Sequence, residues 1–161
     1  MAQILLGLGS NHQAEARLTN ALNRLEQELD QLTPSDWFES HALRGGANYL
    51  NLVASASTDL SIDELRKLLH QIEDEQGRTR GDEDRRCALD IDLICYDRQQ
   101  LTTEEYKLPR EDIIEHAHVL WPLALLCPQE THPELGIPYA QLWESRKDTL
   151  LRNQTLWLLG K

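Results

Sequence analysis

The sequence predicts a mixed α+β sandwich in a single domain over residues 1–161, and three observations lead there. Short apolar runs with strand character alternate with stretches whose leucines recur at helical spacing. Several connections between these runs are too short for helical crossovers, which argues against a doubly wound parallel sheet. With 161 residues, 40% of them apolar and 27% charged, the chain can build one hydrophobic core and has no low-complexity composition.

Each element can be justified in order. "QILLGLGS" is a short apolar run ending in Gly-Ser-Asn, the pattern of a buried strand entering a turn. Leu18, Leu22, Leu25 and Leu29 then form the stripe of an amphipathic helix over roughly residues 13–31, closed off by Pro34. "SDWFESHAL" has strand character, and Arg44-Gly45-Gly46-Ala47 reads as a loop. "NYLNLVASAST" alternates as a strand, with Leu50, Leu52 and Ala54 on one face and Tyr49, Asn51 and Val53 on the other. In "SIDELRKLLHQIEDEQG", Ser61 and Glu64 form a capping box, and Leu65, Leu68, Leu69 and Ile72 line one face. Gly77 stands where this helix should stop. A charged loop, "RTRGDEDRR", leads into the strand "RCALDIDLICYD". "DIIEHAHVLWPLALL" is helical in propensity with an expected break at Pro122, and Pro138 suits a first turn in "IPYAQLWESRKD". Trp121 reads as core packing, and Trp37, Phe38, Trp143 and Trp157 as core or surface-patch residues.

The net charge of −11 excludes the basic footprint that duplex recognition needs, so nucleic acid is not an expected partner. Three cysteines without C-x-x-C spacing suggest reduced thiols and a cytoplasmic location. The N-terminus has no basic segment before its apolar run, and no run reaches membrane-spanning length; no signal peptide or membrane partner is expected.

Asp90 and Asp92 carry the strongest chemical signal. On a strand, residues two apart share a face. Leu89, Ile91, Leu93 and Cys95 should therefore pack into the core while both aspartates project from the other side. Two carboxylates on one face repel unless a proton or cation intervenes, and Mg²⁺ favours one or two carboxylates with phosphate oxygens and water. The plainer alternative is an edge strand whose aspartates both point into solvent. Arg78, Arg80, Arg85 and Arg86 lie just upstream and supply the cations that a polyphosphate needs, though Asp82, Glu83 and Asp84 could pair with them locally. No Walker-type glycine loop is present, so any ATP would be held without one. His116 and His118 have the spacing of a strand's metal pair but no third ligand nearby in sequence, and no nucleophile elbow is visible.

The ordered set "GLGSN", "NYLN", "QGRTR", "LDIDL" and "LPR…VLWPL" resembles the 6-hydroxymethyl-7,8-dihydropterin pyrophosphokinase family over residues 3 to about 130. The resemblance implies a three-layer α-β-α sandwich with a mainly antiparallel sheet and a ferredoxin-like core. It implies pyrophosphoryl transfer from ATP to a pterin hydroxymethyl group in folate synthesis, with two Mg²⁺ ions; a monomer is expected. By position, Asp90 and Asp92 match the metal-binding aspartates, and Arg78, Arg80 and Arg86 fall at the catalytic basic loop. Tyr49, Asn51, Leu43 and His118 fall at the pterin site, and Glu73, His70, Arg110 and His116 at the nucleotide site. Gly9, Ser10 and Asn11 match the first-strand turn.

Several positions depart from the family pattern. "DEDRRCALDID" lacks the Trp-Gly-Pro-Arg run, and Cys87 stands where that run has its phosphate-binding arginine. Arg110 replaces a histidine, His116 replaces an arginine, and His118 replaces the second stacking aromatic. The loop around Arg44-Gly45-Gly46 is shorter and lacks a Thr-Pro-Pro pattern. A lost charge-assisted phosphate contact costs about 1.5–3 kcal/mol. Two readings follow: a working pyrophosphokinase whose arginines are redistributed, or a divergent relative that binds a pterin or nucleotide with weak or no transfer.

Overall fold

The computed structural model describes residues 1–42, 45–77 and 87–159. Five strands form the path β5-β1-β4-β3-β8: β1 (Ala2–Ser10), β3 (Phe38–Ser40), β4 (Tyr49–Thr58), β5 (Asp90–Tyr96) and β8 (Leu156–Leu158). A sixth strand, β2 (Asp30–Pro34), also pairs with β4, and every pairing is antiparallel. Helices α1 (Ala14–Glu28) and α2 (Ile62–Glu75) cover one face; α3 (Asp112–Glu115), α4 (Ala117–Leu126) and α5 (Tyr139–Asn153) belong to the other. A small hairpin, β6 (Leu101–Thr102) with β7 (Lys107–Leu108), leads toward α3. The run β1-α1-β2-β4-α2-β5 with spatial order β5-β1-β4-β2 is the ferredoxin-like unit, and the whole is a three-layer α-β-α sandwich.

Two apolar clusters hold the layers together. Leu18, Leu25, Leu65, Leu69 and Ile72 from α1 and α2 meet Leu6, Leu8, Leu52, Ala54, Ile91 and Leu93 from the sheet. On the opposite face, Leu5, Phe38, Val53 and Ile94 meet Ile113, Leu120, Leu123, Tyr139 and Leu142. The alternation of β4 is as the sequence dictates, since Leu52 and Ala54 face one cluster and Val53 the other. The capping box of α2 is present, with Ser61 accepting from the Glu64 N–H and Glu64 accepting from the Ser61 N–H. Ser61→Ala should cost about 1 kcal/mol in chemical denaturation, with the denaturant slope unchanged. Gly77 follows α2 at φ +82°, a conformation that favours glycine.

Three expectations are corrected. The first helix ends at Glu28, not near residue 31, and residues 30–34 form β2 because the free edge of β4 offers them backbone partners. Cys95 lies in the second cluster beside Ile94, not with Leu89, Ile91 and Leu93. The cause is a bulge: Leu6 opposes Leu93 but Leu5 opposes Cys95, so Ile94 is extra and the alternation slips. Pro122 does not break its helix; α4 runs through it, and the break falls at His116, whose φ is −130° and ψ 127°. Proline removes one helical hydrogen bond, and α4 offsets that by burying Val119, Leu120, Pro122 and Leu123 together.

None of the three cysteines is joined in a disulfide. Burial pushes the thiol of Cys95 up to about 11 and that of Cys127 up to about 12, which leaves both inert at neutral pH. Among the described residues no helix is long and apolar enough to cross a membrane.

Candidate active site

The site begins where β1 ends. The Ser10 hydroxyl donates to the Ala88 carbonyl at 2.6 Å, and the Asn11 N–H donates to the Cys87 carbonyl at 2.9 Å. The Asn11 side-chain oxygen accepts the Cys87 N–H in return. The Gly-Ser-Asn turn thus grips residues 87–88 and delivers β5 into the sheet in a fixed register. In that register Gly9 lies opposite both Asn51 and Asp90, and Gly7 opposite Val53 and Asp92. At the usual strand spacing, Asn51 and Asp90 stand roughly 10 Å apart across β1.

Gly9 is the floor between them. A Cβ there would fall 2.8 Å from the Asn51 Oδ1 and 3.7 Å from the Tyr49 ring. Tyr49, Asn51 and the missing Gly9 side chain therefore share one face, the face from which Asp90 and Asp92 also project. Gly9→Ala should weaken binding of a ligand in this trough about tenfold, checked by isothermal titration, because Asn51 must move to admit the methyl group. Asn51 is buried, and its Nδ2 donates to the Ser40 hydroxyl at 2.9 Å, which turns its Oδ1 toward Gly9.

Asp90 lies close enough to Asp92 to act on it both by its charge and as a hydrogen-bond partner. Burial, then the charge of Asp90 and its hydrogen bond, pushes Asp92 up to about 8; Arg110 opposes this and Asp112 adds to it. Arg110 is fixed by its backbone N–H, which donates to the Ile94 carbonyl at 3.0 Å, and by an ion pair with Asp112 at 3.2 Å. Asp92, Arg110 and His70 meet around a cleft of about 80 Å³ that Arg66 and Tyr106 also line. The Arg66 guanidinium lies 4.5 Å above the Tyr106 ring and pairs with Glu105 at 3.0 Å.

Glu73 sits one turn beyond His70 on α2. It is only 3% exposed, and its carboxylate accepts the Ile91 N–H at 2.8 Å, tying the helix to the outer edge of β5. The rings of His116 and His118 stack at 5.2 Å, and burial holds His118 below the ordinary imidazole range against the upward pull of its contact with Gln154 and then of Asp112 and Asp90. Among the described residues no three His, Cys, Asp or Glu side chains converge as a metal site. Leu43, Arg78, Arg80, Arg85 and Arg86 lie outside the described residues.

The fold thus brings Tyr49, Asn51, Asp90, Asp92, Arg110, His116 and His118 to one side of the sheet, with His70 across the cleft. It also reveals partners that the sequence reading passed over. Asp112 could have been noticed as a second acidic residue close after Arg110. Ser40 behind Asn51 and Gln154 behind His118 have no local signal, since each acts across a contact distant in sequence.

The two carboxylates fit a hard divalent cation that keeps water and phosphate oxygens as its other ligands, a donor set that Mg²⁺ accepts and a closed zinc site does not.

The family described as 7,8-dihydro-6-hydroxymethylpterin-pyrophosphokinase (HPPK) matches residues 5–128. A 2-amino-4-hydroxy-6-hydroxymethyldihydropteridine pyrophosphokinase of Aquifex aeolicus is 30% identical over 136 residues, covering 83% of this chain and 85% of that protein. The Haemophilus influenzae protein of the same name is 28% identical over 147 residues, covering 88% of this chain and 89% of its own. The Dictyostelium discoideum folic acid synthesis protein FOL1 is 30% identical over 137 residues, but this chain spans only 21% of its length. Among solved structures, a Plasmodium falciparum HPPK-DHPS with pteroate aligns at a TM-score of 0.74 and 11% identity, over 94% of this chain and 45% of that one. At that identity the likeness speaks for the fold alone, and it agrees with the three layers described above. A family match over residues 5–128, together with the arrangement around Asp90 and Asp92, leads to one conclusion: this chain belongs to the 7,8-dihydro-6-hydroxymethylpterin-pyrophosphokinase family.

Proposed function

We propose that this chain transfers the pyrophosphoryl group of ATP to the hydroxymethyl group of a 6-hydroxymethyl-7,8-dihydropterin. The observation that carries this reading is the placement of Asp90 and Asp92 on the same face as Tyr49 and Asn51, with Gly9 of β1 between Asn51 and Asp90. In the reaction the hydroxymethyl oxygen bonds to the β-phosphorus as the link from that phosphorus to the α-phosphate oxygen breaks. AMP leaves with that oxygen, and the hydroxyl proton passes to solvent.

Each residue then has a task. The Asn51 Oδ1, turned outward by Ser40, accepts from the amine edge of the pterin, and the Tyr49 ring lies against its flat face. Asp90 and Asp92 would hold Mg²⁺, which neutralises phosphate charge when bound. Arg110, anchored at Ile94 and Asp112, offers its guanidinium to phosphate oxygens beside Asp92. His70 lines the nucleotide side of the same cleft, and His116 stands beside His118. Glu73 contributes by holding β5 against α2. Leu43, Arg78, Arg80 and Arg86 belong to the same proposal by their match to the family pattern. We place the reaction in the cytoplasm, by a monomer.

A second reading, ligand binding with weak transfer, is favoured by one observation. Cys87, whose backbone is tied to Asn11, places a thiol where the family pattern has a guanidinium. Incubating the protein with ATP, Mg²⁺ and the hydroxymethyl dihydropterin and measuring AMP separates the two. AMP that depends on Mg²⁺ supports transfer; a thermal shift with pterin and ATP but no AMP supports binding alone.

A further inference from the structure

Among the described residues, the side chain that hydrogen-bonds His118 is that of Gln154, which lies between α5 and β8 and outside the residues 5–128 of the family match. Gln154 is 6% exposed. Its Oε1 lies 3.2 Å from the backbone nitrogen of His118, and its Nε2 lies 2.8 Å from the ring Nδ1. The Oε1 is also 3.2 Å from that Nδ1.

These contacts resolve which way the amide points. A backbone N–H donates in every protonation state, so the amide oxygen must face it. The amide NH₂ is then left against Nδ1, at the shorter of the two ring contacts. An NH₂ group only donates, so Nδ1 must be a bare acceptor, and the neutral ring carries its proton on Nε2. Among the described residues no hydrogen bond reaches that Nε2. The charged and titratable groups that act on the ring are His116 stacked on it, Asp112 from α3 and Asp90 from β5.

We propose that Gln154 is a positioning residue that locks His118 as the neutral Nε2–H tautomer, so that the ring offers the bound substrate one directed hydrogen-bond donor. The inference rests on the reading that a pterin occupies the trough beside Tyr49 and Asn51. It adds a specificity element to that reading, because the family pattern has a purely stacking aromatic at position 118. A donor there selects a ligand edge carrying a ring nitrogen or oxygen acceptor, and penalises an analogue without one.

The test begins with the unaltered protein. Nitrogen-15 spectra of the histidine side chains, assigned with His118→Phe, should show His118 protonated on Nε2 and bare at Nδ1. In Gln154→Glu, whose carboxylate can only accept, the proton should move to Nδ1. A wild-type ring protonated on Nδ1, or a tautomer indifferent to Gln154→Glu, overturns the lock. For the donor role, Gln154→Met should raise KM for the pterin about tenfold while leaving KM for ATP in place. That effect should vanish in a His118→Phe background, because the donor is already gone. Additive effects of the two changes overturn the donor role. A correct tautomer in a protein that binds neither pterin nor ATP instead overturns the functional reading, and the donor role with it.

Discussion

Asp92→Asn should abolish AMP formation, by about 10³-fold or more, while the folded protein becomes more stable. The change removes one of two carboxylates that would hold a divalent cation, and losing about 4 kcal/mol of transition-state stabilisation corresponds to that factor. The amide keeps the size of the carboxyl and can donate to Asp90, so the hydrogen bond between the two side chains survives without the charge. A single-turnover assay of AMP, alongside thermal unfolding of the same sample, reads both halves. Retained transfer, or a loss of transfer matched by unfolding, would contradict the assignment.

The second large effect concerns pH. Asp92 is pushed up to about 8 in the folded chain, first by burial and then by the neighbouring Asp90, against about 3.9 for an unfolded aspartate. The folded state therefore keeps a proton that the unfolded chain releases between about pH 4 and pH 8. Stability from this source is fully present below pH 4 and lost as pH rises toward 8, because the unfolded state binds fewer protons there. In chelator-treated protein the loss should be on the order of 5 kcal/mol, shared by the acidic pair as a unit. Asp92→Asn should remove this slope, so the stability gap between variant and wild type widens from pH 5 to pH 8. Urea unfolding at several pH values checks it, and parallel curves for the two proteins would refute it. Added Mg²⁺ should close the gap at pH 8, since the cation competes with the proton for the same oxygens.

These two results pull against each other, and the conflict explains why the pair is worth keeping. A carboxylate pressed against another weakens the fold on its own, so its retention makes sense where a bound cation and substrate relieve the repulsion. Gly9 follows the same logic: a glycine inside a strand weakens the sheet, yet here any side chain would collide with Asn51.

Much of this was legible in the chain before folding. The helical stripe and capping box of α2, the alternation of β4 and the shared face of Asp90 and Asp92 all follow from local period and local partners. Tyr49 and Asn51 were readable as neighbours for the same reason. Other features were not. Residues 30–34 carry no strong strand pattern and become β2 only because β4 has an open edge. The bulge at Ile94 sends Cys95 to the opposite face, and nothing in the run of apolar residues marks the slip.

Outside the bulge at Ile94, local periodicity by itself determined which residues share a face, because the pleat and the helical turn are properties of the backbone. Tertiary structure alone decided what stands behind each of them: Ser40 turning Asn51, Asp112 holding Arg110, Glu73 capping β5 and Gln154 orienting His118. Buried polar groups must find partners somewhere, and it is the packing of the three layers, not spacing along the chain, that chooses which ones they find.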